Sequence, residues 1–191
     1  MPKAFRTSVL AAAVVLAPAL VSAQKIQGGS SAVGLELGVF VPVIASDDCC
    51  PGQNIARSSP GVDGFYERYL TRRIGIRLGA GSWSPKRENV GDHTVRYIRV
   101  GADCIYKGRG DAVNVYIGAG AGVYRLRGRL DSPNDREETA TKAGAALLLG
   151  GELFVLPTLS LTIQGRYHAI AQARTFTPDG INLTVGFRKF F

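Results

Sequence analysis

The sequence predicts an all-β fold, an eight-stranded antiparallel up-and-down transmembrane β-barrel. Three observations predict it. Apolar residues alternate with polar or small ones in segment after segment, the period of a strand with one greasy face. The segments are joined alternately by long and short connections. The chain opens with an export signal.

That signal occupies Met1 to Ala23. Lys3 and Arg6 make a positive start, Ser8 to Leu20 is a short apolar run, and Val21-Ser22-Ala23 is a small-residue cleavage site. The run is shorter than the roughly 20 residues a membrane-spanning helix needs. Gln24 then begins the mature chain, a single barrel domain to Phe191. Loss of Lys3 and Arg6 lowers the net charge from +8 to +6. Such an excess favours anionic partners, phosphorylated lipids among them.

The first strand is expected over Val33 to Val41, with Val33, Leu35, Leu37, Val39 and Val41 on one face and Gly34, Glu36, Gly38 and Phe40 on the other. The second, Val62 to Leu70, sets Tyr66 and Leu70 against Asp63 and Glu67, although Arg68 then shares the face of Tyr66. In the third, Ile74 to Trp83, Ile74, Ile76, Leu78 and Ala80 alternate with Gly75, Arg77, Gly79 and Gly81. Trp83 falls on the polar phase, and alternation supplies no reason for it. The fourth, Val95 to Tyr106, places Ile98, Val100, Ala102, Cys104 and Tyr106 against Tyr97, Arg99, Gly101 and Asp103. The fifth begins at Val113 and alternates Val113, Val115, Ile117, Ala119, Ala121 and Val123 with Asn114, Tyr116, Gly118, Gly120, Gly122 and Tyr124. The sixth, Ala143 to Phe154, pairs an Ala145, Leu147, Leu149 and Leu153 face with Gly144, Gly150 and Glu152, and Leu148 breaks the pattern. The seventh, Leu159 to His168, sets Leu161, Ile163 and Tyr167 against Thr162, Gln164, Arg166 and His168. The eighth is the terminal strand, Ile181 onward, where Ile181, Leu183, Val185 and Phe187 alternate with Asn182, Thr184, Gly186 and Arg188.

Long connections fall near Ala45 to Gly61, Ser84 to Thr94, Gly128 to Lys142 and Ala169 to Asp179; the short ones are Thr71 to Arg73, Lys107 to Asp111 and Val155 to Thr158. Outer-membrane barrels have tight periplasmic turns and longer outer loops, and an even strand number puts both termini on the periplasmic side.

The greasy face should point outward. The other face combines Gly with Glu36, Arg77, Arg99, Asp103, Glu152 and Arg166, small and paired groups that suit the narrow interior of an eight-stranded barrel. The apolar face is nearly free of charge over the middle of each strand, where an Arg against lipid would cost about 2–4 kcal/mol. Aromatic Tyr106, Phe187 and Tyr167 fall near strand ends, where interfacial girdles lie.

Gly151-Glu152-Leu153-Phe154-Val155-Leu156-Pro157-Thr158-Leu159-Ser160-Leu161 and the strand ending at Phe191 resemble the small outer-membrane β-barrel family that includes the OmpA transmembrane domain and OmpX. The resemblance covers essentially the whole mature chain and implies a bacterial outer-membrane location. It implies that the barrel-assembly machinery reads Phe191, with Phe187 on the same outward face as part of that signal. Lys189 stands where an aromatic residue is usual. No peptidoglycan-binding domain is expected after the barrel, unlike full-length OmpA.

Two sets of residues are candidate sites. Glu36, Glu67, Arg77, Arg99, Asp103, Glu152 and Arg166 share the inward phase, where each buried charge needs a partner. They form either a satisfied plug or a gated path for small solutes. Arg96, Arg125 and Arg127 continue the outward phase at the outer end and are placed to meet the phosphates of lipopolysaccharide. The charged third loop (Arg129, Asp131, Asp135, Arg136, Glu137, Glu138) suits an exposed tip that meets an extracellular ligand.

Other signals are weaker. Cys49 and Cys50 with Asp47 and Asp48 form a loop cluster without a nearby His, and Cys104 is alone. His93 is isolated, and His168 is expected at a barrel rim. The stretch His168-Ala169-Ile170 lacks the Ser that a lipid A deacylase of this architecture would need, and no acid, base and nucleophile converge. Gly118 to Gly122 is misplaced for a dinucleotide fingerprint. Arg109-Gly110-Asp111 falls in a periplasmic turn and Asn182-Leu183-Thr184 in a membrane strand. The expectation is therefore a non-enzymatic surface or envelope protein, with a narrow channel as second reading and a lipid-modifying enzyme as third. No cofactor, metal or nucleic-acid partner is expected.

Overall fold

Strands built from alternating residues can bury their backbone polar groups in a membrane only by closing on themselves. The computed structural model, which describes residues 27–43, 55–87, 94–108, 110, 113–128, 138–171 and 179–191, does this. Its strands are β1 (Ser31–Pro42), β2 (Ile55–Arg57), β3 (Ser59–Tyr69), β4 (Ile74–Trp83), β5 (Lys86–Arg87), β6 (Arg96–Lys107), β7 (Val113–Gly128), β8 (Glu138–Leu156), β9 (Leu159–Ile170) and β10 (Gly180–Phe190). Eight of them, in the order β1-β10-β9-β8-β7-β6-β4-β3, form a closed barrel, and β2 and β5 pair as a separate two-stranded sheet.

Every neighbouring pair in the barrel is antiparallel. The seam joins β1 to β10 with Leu35 opposite Phe187 and Val39 opposite Leu183. It is fastened at the terminal end by reciprocal backbone hydrogen bonds between Ser31 and Phe191, at 3.0 and 2.9 Å. Each barrel strand has a hydrogen-bonded neighbour on both sides, so the sheet has no edge strand.

Period two now has a physical address. Leu37, Ile163 and Val185, exposed by 60, 65 and 59%, belong to a continuous apolar belt of a size that belongs against lipid. Their strand neighbours Glu36, Thr162 and Thr184 are buried inside. On β6 the outward residues between Arg96 and Tyr106 are Ile98, Val100, Ala102 and Cys104, none of them charged. Ten steps of about 3.3 Å along a strand tilted about 40° span roughly 25 Å of barrel axis, the height of the apolar band of such barrels.

The strand limits differ from expectation at the long-loop end. β3 begins at Ser59 rather than Val62 and β8 begins at Glu138 rather than Ala143, while β7 runs to Gly128, where the long connection was expected to start. There the outward positions are Arg125, Arg127, Thr139 and Thr141, which pair across β7 and β8 in regular register. The wall continues past the greasy band, so its outward residues turn polar and the alternation stops being visible. At the other end β8 runs through Val155 and Leu156, leaving Pro157 and Thr158 as a two-residue turn.

Inside, glycine makes room. A Cβ at Gly34 would collide with the Phe65 ring, and one at Gly150 with the Tyr116 ring. Large inward side chains lie flat across glycines of neighbouring strands, which is how so narrow a barrel holds rings and guanidinium groups together.

A charged lumen and a cationic outer rim

The half of the lumen nearest the short turns is ionic. Arg77, from β4, donates Nε to Glu67 Oε2 at 3.0 Å and pairs with it as an ion, its Nη2 lying 2.9 Å from the same oxygen. Arg188, from β10, reaches Glu152 Oε2 at 2.5 Å and lies 3.8 Å from Glu67. Lys107 donates to Glu152 Oε1 at 2.9 Å, and Asn114 Nδ2 donates to the same oxygen at 3.2 Å. Arg77 lies over the Phe65 ring at 4.0 Å. Toward the turns, Ala32, Tyr69, Phe154 and Phe190 close this half with an apolar layer, and Lys107 sits 4.8 Å from the Tyr69 ring centroid.

At mid-height Glu36 is held by neutral donors: Thr184 Oγ1 at 2.9 Å, Gln164 Nε2 at 3.2 Å and Thr162 Oγ1 at 3.3 Å. Gln164 accepts from Arg77 through its Oε1 at 2.6 Å, so it links Glu36 to the cluster below. Nearby, Asp103 takes Arg99 at 2.8 Å and Arg166 at 2.9 Å on its two oxygens. Asn182 donates to Asp63 at 2.5 Å.

Above them lies an aromatic layer that closes the long-loop end. Trp83 stacks on Phe40 at 5.1 Å and Tyr97 at 5.8 Å, and meets the His168 ring at 5.0 Å. Tyr124 hydrogen-bonds His168 Nδ1 at 2.9 Å. Two expectations change here. His168 is not at a rim; it is fully buried in this layer. Trp83 now has its reason, since the polar phase faces the lumen and a large flat ring caps it.

The seven inward candidates Glu36, Glu67, Arg77, Arg99, Asp103, Glu152 and Arg166 all lie within the barrel. Lys107, Asp63, Asn114, Gln164 and Arg188 join them and were not singled out from the sequence, although Asp63, Gln164 and Arg188 carry the same inward phase. Among the described buried side chains, five acids (Glu36, Asp63, Glu67, Asp103, Glu152) meet five bases (Arg77, Arg99, Lys107, Arg166, Arg188). Charge therefore balances inside. Buried charges in such a site are tolerable only when paired and hydrogen-bonded.

The outer face presents a different arrangement. Arg96 on β6 lies directly opposite Arg127 on β7, and Arg125 lies opposite Ile98 one outward step lower. All three point outward and are exposed. Directly opposed residues have Cβ atoms about 4.5–5.5 Å apart, and like charges there destabilise the pair. Below the arginines the outward positions on the same strands are Val100, Val123, Ala102 and Ala121. Three cations thus sit where the apolar band ends.

Phe187 is outward and exposed beside Leu35 and Leu161, and Phe191 is exposed at the seam. Cys104 is a free, exposed residue of the lipid-facing side. Among the described residues no group of His, Cys, Asp and Glu has metal-binding geometry. Asp47, Asp48, Cys49, Cys50, His93, Arg109, Asp111, Arg129, Asp131, Asp135, Arg136 and Glu137 lie outside the described residues, as do the signal and its cleavage site.

Comparison with known proteins agrees with this architecture. Neisserial surface protein A shares 16% identity at a TM-score of 0.63, over 86% of this chain and 98% of that one. OprG, an outer membrane protein of Pseudomonas aeruginosa, shares 12% at a TM-score of 0.66, over 88% and 99%. Ail, the attachment invasion locus protein of Yersinia pestis, solved with the heparin analogue sucrose octasulfate, shares 14% at 0.56, over 86% and 100%. At such identities the likeness is one of fold. No curated protein matches by sequence. The family model for the outer membrane protein beta-barrel domain matches residues 7–188, and the chain belongs to that family.

Proposed function

We propose that this chain is a non-enzymatic barrel of the bacterial outer membrane whose outer end serves surface contact or envelope integrity. Its rim of Arg96, Arg125 and Arg127 holds lipopolysaccharide phosphates. The observation that carries the reading is the outward, exposed placement of Arg96, Arg125 and Arg127 together at the upper edge of the apolar belt. Exposed guanidinium groups at that height meet the phosphate layer of the outer leaflet, and Arg binds phosphate bidentately. A structural neighbour, Ail, was solved with a polysulfated heparin analogue, and a polyanion is the kind of ligand a basic outer end would meet.

The long loops, with the charged third one foremost, are the surface offered to an extracellular ligand. The amino-terminal signal is cleaved before Gln24 on export, and the barrel-assembly machinery reads Phe191 with Phe187. The lumen supports a structural role rather than a conducting one, because its charges cancel and aromatic layers lie at both ends.

Lipopolysaccharide co-purifying with the folded barrel tests the rim. An Arg96→Ala/Arg125→Ala/Arg127→Ala variant should lose most of it; unchanged retention would refute the proposal. Stable unitary currents in planar bilayers, abolished by changing Arg99 or Glu152, would favour the channel reading instead. A change in lipid A mass caused by the protein would favour an enzyme.

A further inference from the structure

The turn between β3 and β4 carries Thr71-Arg72-Arg73, a basic pair that the lumen and the outer rim leave unexplained. Its backbone is pinned. Leu70 and Thr71 both donate to the Ile74 carbonyl, at 2.9 and 3.2 Å. Thr71 Oγ1 accepts from the backbone N–H of Arg73 at 3.2 Å and of Ile74 at 3.0 Å. Arg73 Nη1 then donates to the Tyr106 hydroxyl at 3.0 Å, across to the end of β6. These residues line an open notch of about 490 Å³ formed by Thr71, Arg72, Arg73, Ile74 and Tyr106.

We propose that this notch binds the headgroup phosphate of an anionic phospholipid in the leaflet opposite the lipopolysaccharide rim. Height is the first argument. Tyr106 lies roughly 25 Å of barrel axis below Arg96, which places the notch at the other polar boundary of the band. Charge is the second. Arg68, Arg72, Arg73 and Lys189 are exposed at this end. Among the described residues no acidic side chain faces outward there, since Glu67 and Glu152 turn inward to Arg77, Arg188 and Lys107.

Donor geometry is the third. The Tyr106 oxygen accepts from Arg73, so its own O–H is directed elsewhere and can donate to a phosphate oxygen. Arg73 keeps further N–H groups, and Arg72 supplies a second guanidinium from the same fixed turn. By contrast, Arg68 is engaged with Ser31 at 3.1 Å and Lys189 with Thr158 at 2.6 Å. The fourth argument selects a lipid over a free anion. Ile74 and the Tyr106 ring form the apolar side of the notch and are half-exposed at the lip of the belt, so the occupant needs hydrocarbon next to its phosphate. Juxtamembrane Arg and Lys attract anionic lipid in the same way.

The inference depends on the barrel lying in a bilayer and not on the Arg96 rim, and the test separates the two. The processed protein in mild detergent is titrated with phosphatidylglycerol or phosphatidylcholine of identical chains, and bound lipid is counted by native mass spectrometry. Phosphatidylglycerol should be preferred and should resist millimolar inorganic phosphate. Arg72→Gln/Arg73→Gln/Tyr106→Phe should lower its retention about five-fold or more per guanidinium removed, with heat-modifiable gel mobility reporting the fold. Arg72→Gln alone, which leaves the Tyr106 contact intact, should give a single such step if the triple variant misfolds. The Arg96→Ala/Arg125→Ala/Arg127→Ala variant should keep phosphatidylglycerol whatever happens to its lipopolysaccharide. Equal retention of the two lipids, displacement by free phosphate, retention unchanged in the notch variants, or an equal loss in the rim variant would each overturn the assignment.

Discussion

Arginine has two fates in this barrel. Arg77, Arg99, Arg166 and Arg188 point inward and are matched to carboxylates on other strands or on their own. Arg96, Arg125 and Arg127 point outward, two of them directly across from each other. One step along a strand separates the two environments. Inside, a guanidinium is part of the packing and must be satisfied by the fold. Outside, at the edge of the belt, it is exposed toward the solvent or lipid side. On the function proposed above, the same side chain is structural or ligand-directed according to strand phase.

The largest expected effect breaks the inner set. Glu152 takes Arg188, Lys107 and Asn114 at once. Glu152→Ala leaves the buried Lys107 without its carboxylate and Arg188 with only its 3.8 Å contact to Glu67, and should cost about 3–5 kcal/mol, measured by urea titration of the refolded barrel. A cost under about 1 kcal/mol would place the pair in the class of solvent-screened surface bridges. The next effect sharpens the claim that the lumen is full. Gly34→Val would drive a side chain into the Phe65 ring, which in turn lies under the Arg77 guanidinium. Overpacking of this kind costs about 1–3 kcal/mol, read in the same titration. Thr184→Val comes third. It removes one of three donors to Glu36 and should cost roughly 1–3 kcal/mol at most, because the carboxylate stays buried. The smallest effect belongs to the outer set. Arg96→Ala/Arg125→Ala/Arg127→Ala should change stability in phosphate-free detergent by less than about 1 kcal/mol, because exposed charges contribute little to the fold. A large destabilisation would mean that these arginines hold the wall together.

Much of this was legible in the residues. Val33 to Val41, Ile74 to Trp83 and the strand from Ile181 announce themselves by strict alternation, and the sign of the two faces follows from glycine and charge on one of them. What escaped notice did so for definable reasons. Lys107 sits at the end of β6 next to Gly108 and resembled a turn residue, yet its amine folds back onto Glu152. Trp83 and His168 were legible in phase but not in role, because a stacking partner on another strand leaves no mark on local sequence. The β2–β5 pair is three and two residues long, too short for any period to register. The upper part of β8 was hidden because polar outward residues there look like loop. The arginine rim was legible from phase alone; that Arg96 faces Arg127 needed the register.

The most direct test of the two fates is lipopolysaccharide retained per folded barrel, measured side by side in the Arg96→Ala/Arg125→Ala/Arg127→Ala variant and in Glu152→Gln. Strand phase predicts a crossing. The outer variant should fold normally and lose the lipid, while the lumen variant should fold less stably and keep it in every molecule that does fold. Equal lipid in both, or a loss confined to the lumen variant, would contradict the division.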